Sequence, residues 1–249
     1  MSTPPKFYLK HMFAKTSYRA NWTPDLPIQL GDIGVLEYGQ FSIASSLQKQ
    51  GLPFEVRESG GSLSLDYSSQ NSTMRTINGN SGAVPVSGVP LQANLELSFK
   101  NDVGVLFQLS GSRRSIIANL DELGNEILER YRNGSWKKEW VIVTDVLTTD
   151  NTTIIISTTA NNTLELACSL LPGGGRNLAL PGIDISVVNE SGSSIKVLGS
   201  KQLIPLYNVK GIRHPFLGNP VFRSFHDGAP SGDIALTDQP FDEKEFVRQ

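Results

Sequence analysis

The chain has 249 residues, which is long enough for one or two domains with a complete hydrophobic core. Apolar residues make up 39% and charged residues 18%, a composition that excludes a disordered or collagen-like chain and favours a strand-rich globular protein. The formal net charge of −2 gives no electrostatic case for nucleic-acid binding. The single cysteine, Cys168, leaves no internal disulfide and favours a reducing compartment.

The first twenty residues are basic and contain no acid. Residues 5–19 predict a helix that begins with proline, where proline is tolerated. Its positive charges come from Lys6, Lys10, Lys15 and Arg19. Because no charged segment leads into an apolar run, we expect no secretory signal and a cytoplasmic protein. No stretch approaches about 18 consecutive apolar residues, so no transmembrane helix is predicted.

Alternating patterns predict a β-sheet in the first half of the chain. Residues 31–39 indicate a first strand, and residues 54–67 indicate a hairpin through two glycines. Residues 68–90 are polar and punctuated by glycine, which favours an irregular segment. Apolar and polar residues alternate over 93–99 and over 103–109, so we expect these two stretches to form a half-buried hairpin.

A second helix and further strands complete the predicted body. Apolar residues at helical spacing predict a helix over 115–132 that Gly134 ends. Residues 140–147 and 152–158 predict a hairpin around a polar turn. Four more strands are predicted over 164–171, 183–188, 194–198 and 201–209. A sheet accompanied by two helices belongs to the α+β class rather than to alternating α/β.

The last part of the chain, residues 225–249, is as acidic as the first part is basic. Six acids there stand against Lys244 and Arg248. Such a tail is typical of a solvated, disordered terminus. Its apolar residues also allow a second interpretation, in which the tail docks on the body formed by residues 1–224.

Signatures of catalysis are missing from the sequence. There is no G-x-S-x-G, H-E-x-x-H, P-loop or dinucleotide fingerprint. The three histidines, His11, His214 and His226, lie apart from one another and from cysteine or paired carboxylates at ligand spacing. Cys168 lies in an alternating strand pattern that is typical of a small buried side chain. We therefore expect no enzyme, no metal site and no cofactor.

The order of the elements resembles the gasdermin pore-forming domain. The resemblance is carried by Trp140–Ser157, in which a hydrophobic strand, a polar turn and an isoleucine-rich return strand follow a helix. It continues through residues 194–198 and 204–209, and it covers most of residues 6–212. The length is similar to that of small bacterial or fungal-type members, which lack the large carboxy-terminal repressor domain. The lipidated cysteine near the amino terminus of many bacterial members is missing here.

The resemblance implies a twisted, mostly antiparallel sheet with peripheral helices over residues 1–224. It also implies an autoinhibited cytoplasmic monomer that, once released, forms a homo-oligomeric ring on the inner face of an acidic plasma membrane. The ring would insert hairpin regions as a large transmembrane β-barrel and kill the cell, as in pyroptosis and antiviral defence. Release would follow cleavage of the tail, residues 225–249, by a protease, or binding of a partner protein.

The resemblance assigns roles to four groups of residues. Residues expected to bind acidic lipids are Lys6, Lys10, His11, Lys15 and Arg19. Residues expected in membrane-inserting strands are Leu95, Leu97, Phe99, Val105, Phe107, Ile142, Val146, Ile154 and Ile156. Residues expected to hold the autoinhibitory tail on the body are Phe225, Ile234, Leu236, Phe241 and Phe246. The cleavage region is expected around Arg223, Gly228 and Gly232.

An alternative interpretation is a non-enzymatic β-sandwich that binds a carbohydrate or a protein partner through its loops. Its contacts would be aromatic side chains. The candidates are Trp22, Tyr38, Tyr67, Tyr131, Trp136 and Trp140. A sugar-binding sandwich has no need of an acid-free basic helix or of an oppositely charged tail, so these two features favour the pore former.

Overall fold

The computed structural model describes residues 4–22, 26–70, 72–79, 91–101, 103–170, 177–200, 202–212 and 237–238. This part of the chain forms a mostly antiparallel β-sheet protein with two helices. The elements in chain order are α1 Pro4–Thr16, β1 Arg19–Ala20, β2 Asp32–Glu37, β3 Gln40–Ser46, β4 Val56–Glu58, β5 Leu63–Ser68, β6 Ser72–Gly79, β7 Leu91–Phe99, β8 Gly104–Ile117, α2 Leu120–Arg132, β9 Val141–Thr149, β10 Asn151–Ser157, β11 Asn162–Leu170, β12 Ile185–Ser191, β13 Ser194–Ser200, β14 Leu203–Gly211 and β15 Thr237–Asp238.

The chain divides into two compact units, each built from separate stretches of sequence. The first unit consists of Met1–Tyr8, Gly61–Arg113 and Thr148–Leu203. The second unit consists of Leu9–Gly60, Arg114–Leu147 and Ile204–Gln249. Strand β8 contributes residues to both units, so neither unit corresponds to a continuous segment of the chain.

A four-stranded sheet in the order β12-β11-β7-β6 forms one layer of the first unit. Its apolar face packs against Leu106 of β8 and Ile155 of β10 in a single hydrophobic cluster. The buried members of this cluster are Ala93, Leu95, Leu97, Phe99, Leu106, Ile155, Leu164, Leu166, Cys168, Leu178 and Ile183. The four-stranded sheet therefore depends on this contact to keep its apolar face out of water.

Beneath that sheet, β10 and the first seven residues of β8 are buried on both faces. β8 pairs with β5 and β10, and β10 pairs in turn with β13. All seven residues of β10 are buried, which explains the uninterrupted apolar run Ile154–Ile156. A strand covered on both sides needs apolar residues at successive positions, whereas a strand covered on one side needs them at alternate positions.

The second unit has its own core. β2 pairs with β3 and β9, and β14 pairs with β1 and β15. The helix α2 buries Leu123, Ile127 and Leu128 against Trp136 and Ile142. A neighbouring cluster joins β9 and β14 through Val141, Val143, Val146, Tyr207 and Val209.

The predicted hairpins are wrong in the choice of partner. β7 pairs with β6 and β11 rather than with β8. β4 and β5 each pair with β8 instead of with each other. β9 and β10, predicted to form a hairpin together, have other partners: β9 pairs with β2, and β10 pairs with β8 and β13. Alternation along the chain determines which face of a strand is apolar, but it carries no information about which distant strand lies alongside.

Three element boundaries also differ from the sequence-based prediction. The first helix ends at Thr16 rather than at residue 19, because Ser17 has a φ of +59° and leaves the right-handed helix. The second helix begins at Leu120, because residues 115–117 pair with β4 as the end of β8. Within the segment 68–90, expected to be irregular, residues 72–79 form the strand β6.

Candidate functional site

The four-stranded sheet of the first unit is amphipathic along its central strand β7. The side chains on one face of β7 are at most 7% exposed, and these are Ala93, Leu95, Leu97 and Phe99. The residues between them, Asn94, Glu96 and Ser98, are partly exposed. The alternation read from the sequence over 93–99 is therefore an alternation of burial.

The neighbouring strand β11 repeats this pattern in register. Leu164 lies opposite Leu97, and Leu166 lies opposite Leu95, so that the apolar side chains of both strands share one face. On the other face, Glu165 lies directly opposite Glu96. Two nine-residue strands thus form a ribbon with one apolar and one polar side.

The polar side of this ribbon carries an ion pair beside two like charges. The Nε of Arg75 on β6 lies 2.5 Å from the Oε1 of Glu96. Because the Arg75 side chain is 71% exposed, this pair contributes little to stability. Glu165 lies on the other side of Glu96 in the same cross-strand row, and like charges directly opposite are unfavourable in a sheet. This row of one arginine and two glutamates is suited to contact with water.

The other residues predicted to insert into a membrane occupy different positions. Val105, Phe107, Ile154 and Ile156 lie in β8 and β10 and are at most 1% exposed. They point to the opposite face of those strands from Leu106 and Ile155, which touch the four-stranded sheet. Ile142 and Val146 lie in β9, within the core clusters of the second unit. The nine residues thus lie on four strands, β7, β8, β9 and β10, and their insertion into a membrane stays a prediction.

Only some of the basic residues predicted to bind acidic lipids are exposed on the amino-terminal helix α1. Lys10 and Lys15 are exposed and Lys6 is partly buried, whereas Tyr8, Leu9 and Met12 are fully buried on the other side. Burial, assisted by the positive charge of Lys15, lowers the pKa of His11 below its ordinary value. His11 is therefore uncharged at neutral pH and adds nothing to the positive face.

Arg19 does not belong to the exposed basic face. It lies in β1 rather than in the helix and is only 2% exposed. Its backbone pairs with Tyr207 of β14. The predicted position of Arg19 in the helix is wrong, and its binding to acidic lipid stays a prediction that requires the side chain to become exposed.

A short part of the acidic tail is described, and it lies on the second unit. Thr237 and Asp238 form β15 and pair antiparallel with Gly211 and Lys210 of β14. The predicted tail contacts and cleavage positions lie outside the described residues; these are Phe225, Ile234, Leu236, Phe241, Phe246, Arg223, Gly228 and Gly232. The described portion shows one backbone contact between tail and body.

The aromatic residues of the alternative interpretation are partly internal. Trp136 is 3% exposed and packs edge to face on Trp140 with ring centroids 5.2 Å apart. Lys137 lies 5.4 Å from the centre of the Trp140 ring. Tyr38, at the turn between β2 and β3, is 57% exposed. The tryptophan pair therefore supports the core of the second unit rather than an open sugar-binding surface.

Sequence reasoning missed the outer strand β6 and a buried polar residue, Gln108. The β-branched residues Thr73, Thr76 and Ile77 of β6 were the available signal, but neighbouring glycines favoured a loop. Gln108 follows the polar positions of an alternating strand, yet it is only 2% exposed. No pattern within β8 indicates that a further segment covers this face.

Among the residues that the structure describes, no group of three or more histidine, cysteine or acidic side chains is arranged to hold a metal ion. Neither of the two described helices is long and apolar enough to cross a membrane.

The chain has structural likenesses among solved proteins but no match at the level of sequence. No protein-family model matches the chain, and no curated protein matches it. Among solved structures, the chain is similar to the gasdermin A3 membrane pore determined by cryo-EM, with 12% sequence identity over 85% of this chain and 91% of that chain. The TM-score is 0.32, at which the likeness is too distant to assign a fold.

Proposed function

We propose that this protein is a membrane pore former of the gasdermin type and not an enzyme. The observation that carries the proposal is the amphipathic four-stranded sheet, in which the ribbon of β7 and β11 has one apolar side and is flanked by β6 and β12. β7 and β11 have nine residues each, and a strand that crosses a bilayer needs about 9–11. In a pore, the apolar side would face lipid, and the side with Glu96 and Glu165 would face water.

The energetics favour such a change only where a bilayer is present. Burial of each large apolar side chain is worth about 1.5–3 kcal/mol. The sheet buries five such residues on β7 and β11, so exposing them to water would cost on the order of 10 kcal/mol. Hydrocarbon accepts the same side chains without this cost. The sheet therefore remains packed in the cytoplasm and inserts at a membrane.

The basic helix supports attachment to an acidic membrane surface. Each basic residue near an anionic leaflet contributes about 1 kcal/mol, so Lys6, Lys10 and Lys15 together supply about 3 kcal/mol. This corresponds to an affinity of several millimolar at best for one copy, by the usual conversion of about 1.4 kcal/mol per tenfold. A ring of many copies multiplies these contacts, so membrane attachment and homo-oligomerisation should be coupled.

The acidic tail is proposed to hold the protein in its inactive, monomeric state. The pairing of β15 with β14 supports a docked tail, since an added strand is a common way for an extended segment to bind. Proteolysis within the segment that includes Arg223, or binding of a partner protein, would release it. The released form would then permeabilise the plasma membrane and kill the cell.

Dye release from liposomes tests this function. The full chain is compared with a chain ending at Arg223, on vesicles of phosphatidylcholine with phosphatidylserine and on vesicles of phosphatidylcholine alone. We expect release only from the shorter chain and only with the anionic vesicles. Release from both chains would remove the inhibitory role of the tail. Absence of release from both would contradict the pore-forming function.

A further inference from the structure

A row of polar side chains crosses the three strands beneath the four-stranded sheet. Asp66 of β5, Gln108 of β8 and Thr153 of β10 are direct cross-strand partners. The Nε2 of Gln108 donates to the Oδ1 of Asp66 at 2.8 Å. Gln108 is 2% exposed and Thr153 is fully buried, whereas Asp66 is exposed, so the row runs from the surface at β5 into the interior of the first unit.

Both backbone polar groups of Leu178 bind to this row. The amide of Leu178 donates to the Oε1 of Gln108 at 2.9 Å. The hydroxyl of Thr153 donates to the carbonyl oxygen of Leu178 at 3.2 Å. Because polar groups in a buried position are costly to leave unpaired, these hydrogen bonds fix the position of the backbone at Leu178.

The side chain of Leu178 strengthens the same attachment. It is 1% exposed and belongs to the cluster that joins the four-stranded sheet to β8 and β10. Leu178 lies in the stretch of residues 177–184 that leads into β12. A residue held by two side-chain hydrogen bonds and by apolar packing therefore ties the entry to β12 to the strands below it.

We propose that Gln108 and Thr153 are positioning residues that latch the paired strands β11 and β12 in their packed state. This inference rests on the proposed function, in which β11 and β12 leave the core for the membrane. For them to leave, the backbone at Leu178 must release both of its side-chain partners. The latch sets the rate of this release, and it does so after any inhibitory tail has been removed.

Two adjacent threonines of β10 provide a matched test. Thr153→Val removes the hydroxyl that binds Leu178, whereas Thr152→Val removes a fully buried hydroxyl that has no hydrogen-bond partner in the described structure. Thr153→Ser keeps the donor and serves as the rescue variant. Gln108→Leu removes the acceptor of the Leu178 amide, and urea unfolding of each variant separates local release from general destabilisation.

The first readout is hydrogen exchange in a peptide covering residues 177–184 of the full chain. We expect Thr153→Val to accelerate exchange there about fivefold relative to Thr152→Val, the equivalent of one hydrogen bond of about 1 kcal/mol. Thr153→Ser should restore the original rate. Equal exchange in the Thr153→Val and Thr152→Val variants would overturn the latch.

The second readout is the lag before dye release by chains ending at Arg223 on anionic vesicles. The latch predicts a shorter lag for Thr153→Val and Gln108→Leu, and an unchanged lag for Thr152→Val. Faster exchange with an unchanged lag would overturn the role in release. If no chain releases dye, the proposed function fails, and the exchange comparison alone decides whether the latch exists.

Discussion

Leu97 of β7 lies directly opposite Leu164 of β11, and both side chains are at most 1% exposed. The adjacent cross-strand pair, Ser98 and Thr163, lies on the other side of the sheet, where both side chains are partly exposed. Neighbouring positions on the same two strands thus meet opposite environments. β7 and β11 therefore form a ribbon with one apolar and one polar side.

Truncating the buried side chain of Leu97 should therefore lower the free energy of unfolding, whereas truncating that of the neighbouring Ser98 should leave it nearly unchanged. Leu97→Ala leaves a cavity in the cluster and should reduce the free energy of unfolding by about 2–5 kcal/mol. Ser98→Ala removes a partly exposed hydroxyl and should change it by less than about 0.5 kcal/mol. Urea unfolding measures both. Similar values for the two variants would show that this face of β7 is not buried.

Tyr18 should contribute a stability term that disappears at alkaline pH. Its hydroxyl donates to Asp145 at 3.1 Å, and Asp145 also lies 2.7 Å from the guanidinium of Arg114. Burial, followed by the negative charge of Asp145, raises the pKa of Tyr18 to about 12. The unfolded chain loses this proton near pH 10, so the contribution is complete below about 10 and is lost as the pH rises towards 12.

The variant Tyr18→Phe tests this linkage. At pH 8 its free energy of unfolding should be about 1 kcal/mol lower than that of the parent protein, because one hydrogen bond is removed. The difference between the two proteins should narrow as the pH rises from about 10 to about 12. Denaturant unfolding at several pH values gives the comparison. A difference that stays constant across this range would contradict the assigned pKa.

Gly111 is required by a close approach as well as by its backbone conformation. Its φ is +68°, and an added Cβ would lie 2.4 Å from the Oδ2 of Asp150. That carboxylate is held by Arg113 through two bonds of 3.0 and 3.1 Å. Gly51 has a similar φ of +66°, but an added Cβ there meets nothing within 4 Å.

Alanine substitution at Gly51 and at Gly111 should separate the cost of a left-handed backbone from the cost of the close contact with Asp150. Gly51→Ala should cost about 1–2 kcal/mol, the penalty for a left-handed backbone at a residue with a Cβ. Gly111→Ala should cost at least about 1 kcal/mol more, because it also displaces Asp150 from Arg113. Thermal or urea unfolding compares them directly. Equal losses would show that the contact with Asp150 adjusts freely.

The amino-acid sequence predicts which face of a strand is buried, but it does not predict which strands pair with one another. The alternation of β7 predicted which residues are buried, since that pattern depends only on one strand covered on one side. It did not identify β11 and β6 as the neighbours of β7, because pairing joins residues far apart in the chain. Gln108 occupies a polar position of an alternating pattern, yet Leu178 covers it, and such coverage leaves no local signal.

Charge patterning was informative in a similar, limited way. Lys10 and Lys15 are exposed as a basic surface helix requires. Arg19 has the same charge but enters β1 after the left-handed residue Ser17, and a single residue in that conformation is not recognisable from its neighbours. The composition of the helix was thus predictable, whereas its end was not.

Neutralising the three lysines of α1 should weaken pore formation on acidic membranes. The triple variant Lys6→Gln, Lys10→Gln, Lys15→Gln loses about 3 kcal/mol of attraction to an anionic leaflet, which is about two orders of magnitude in membrane affinity. Dye release by the chain ending at Arg223 should fall accordingly with phosphatidylserine vesicles. The effect should diminish at high salt, which screens the lysines of the parent protein.

A matched control removes three positive charges from exposed positions outside α1. The control variant carries Lys49→Gln, Arg57→Gln and Lys138→Gln, all at exposed positions. It changes the net charge equally, so it should release dye nearly as well as the parent chain. If both triple variants were equally impaired, total charge rather than the helix α1 would account for membrane binding.

The most direct test of the central claim is to find where the two faces of β7 lie in the membrane-bound form. Single cysteines are placed in turn at Leu95, Glu96, Leu97 and Ser98 of a Cys168→Ala chain ending at Arg223, and each carries an environment-sensitive fluorophore. The account predicts that probes at Leu95 and Leu97 are quenched by lipid-borne quenchers, and that probes at Glu96 and Ser98 are quenched by aqueous iodide. Quenching without this alternation, or iodide access at all four positions, would contradict insertion of β7 as a membrane strand.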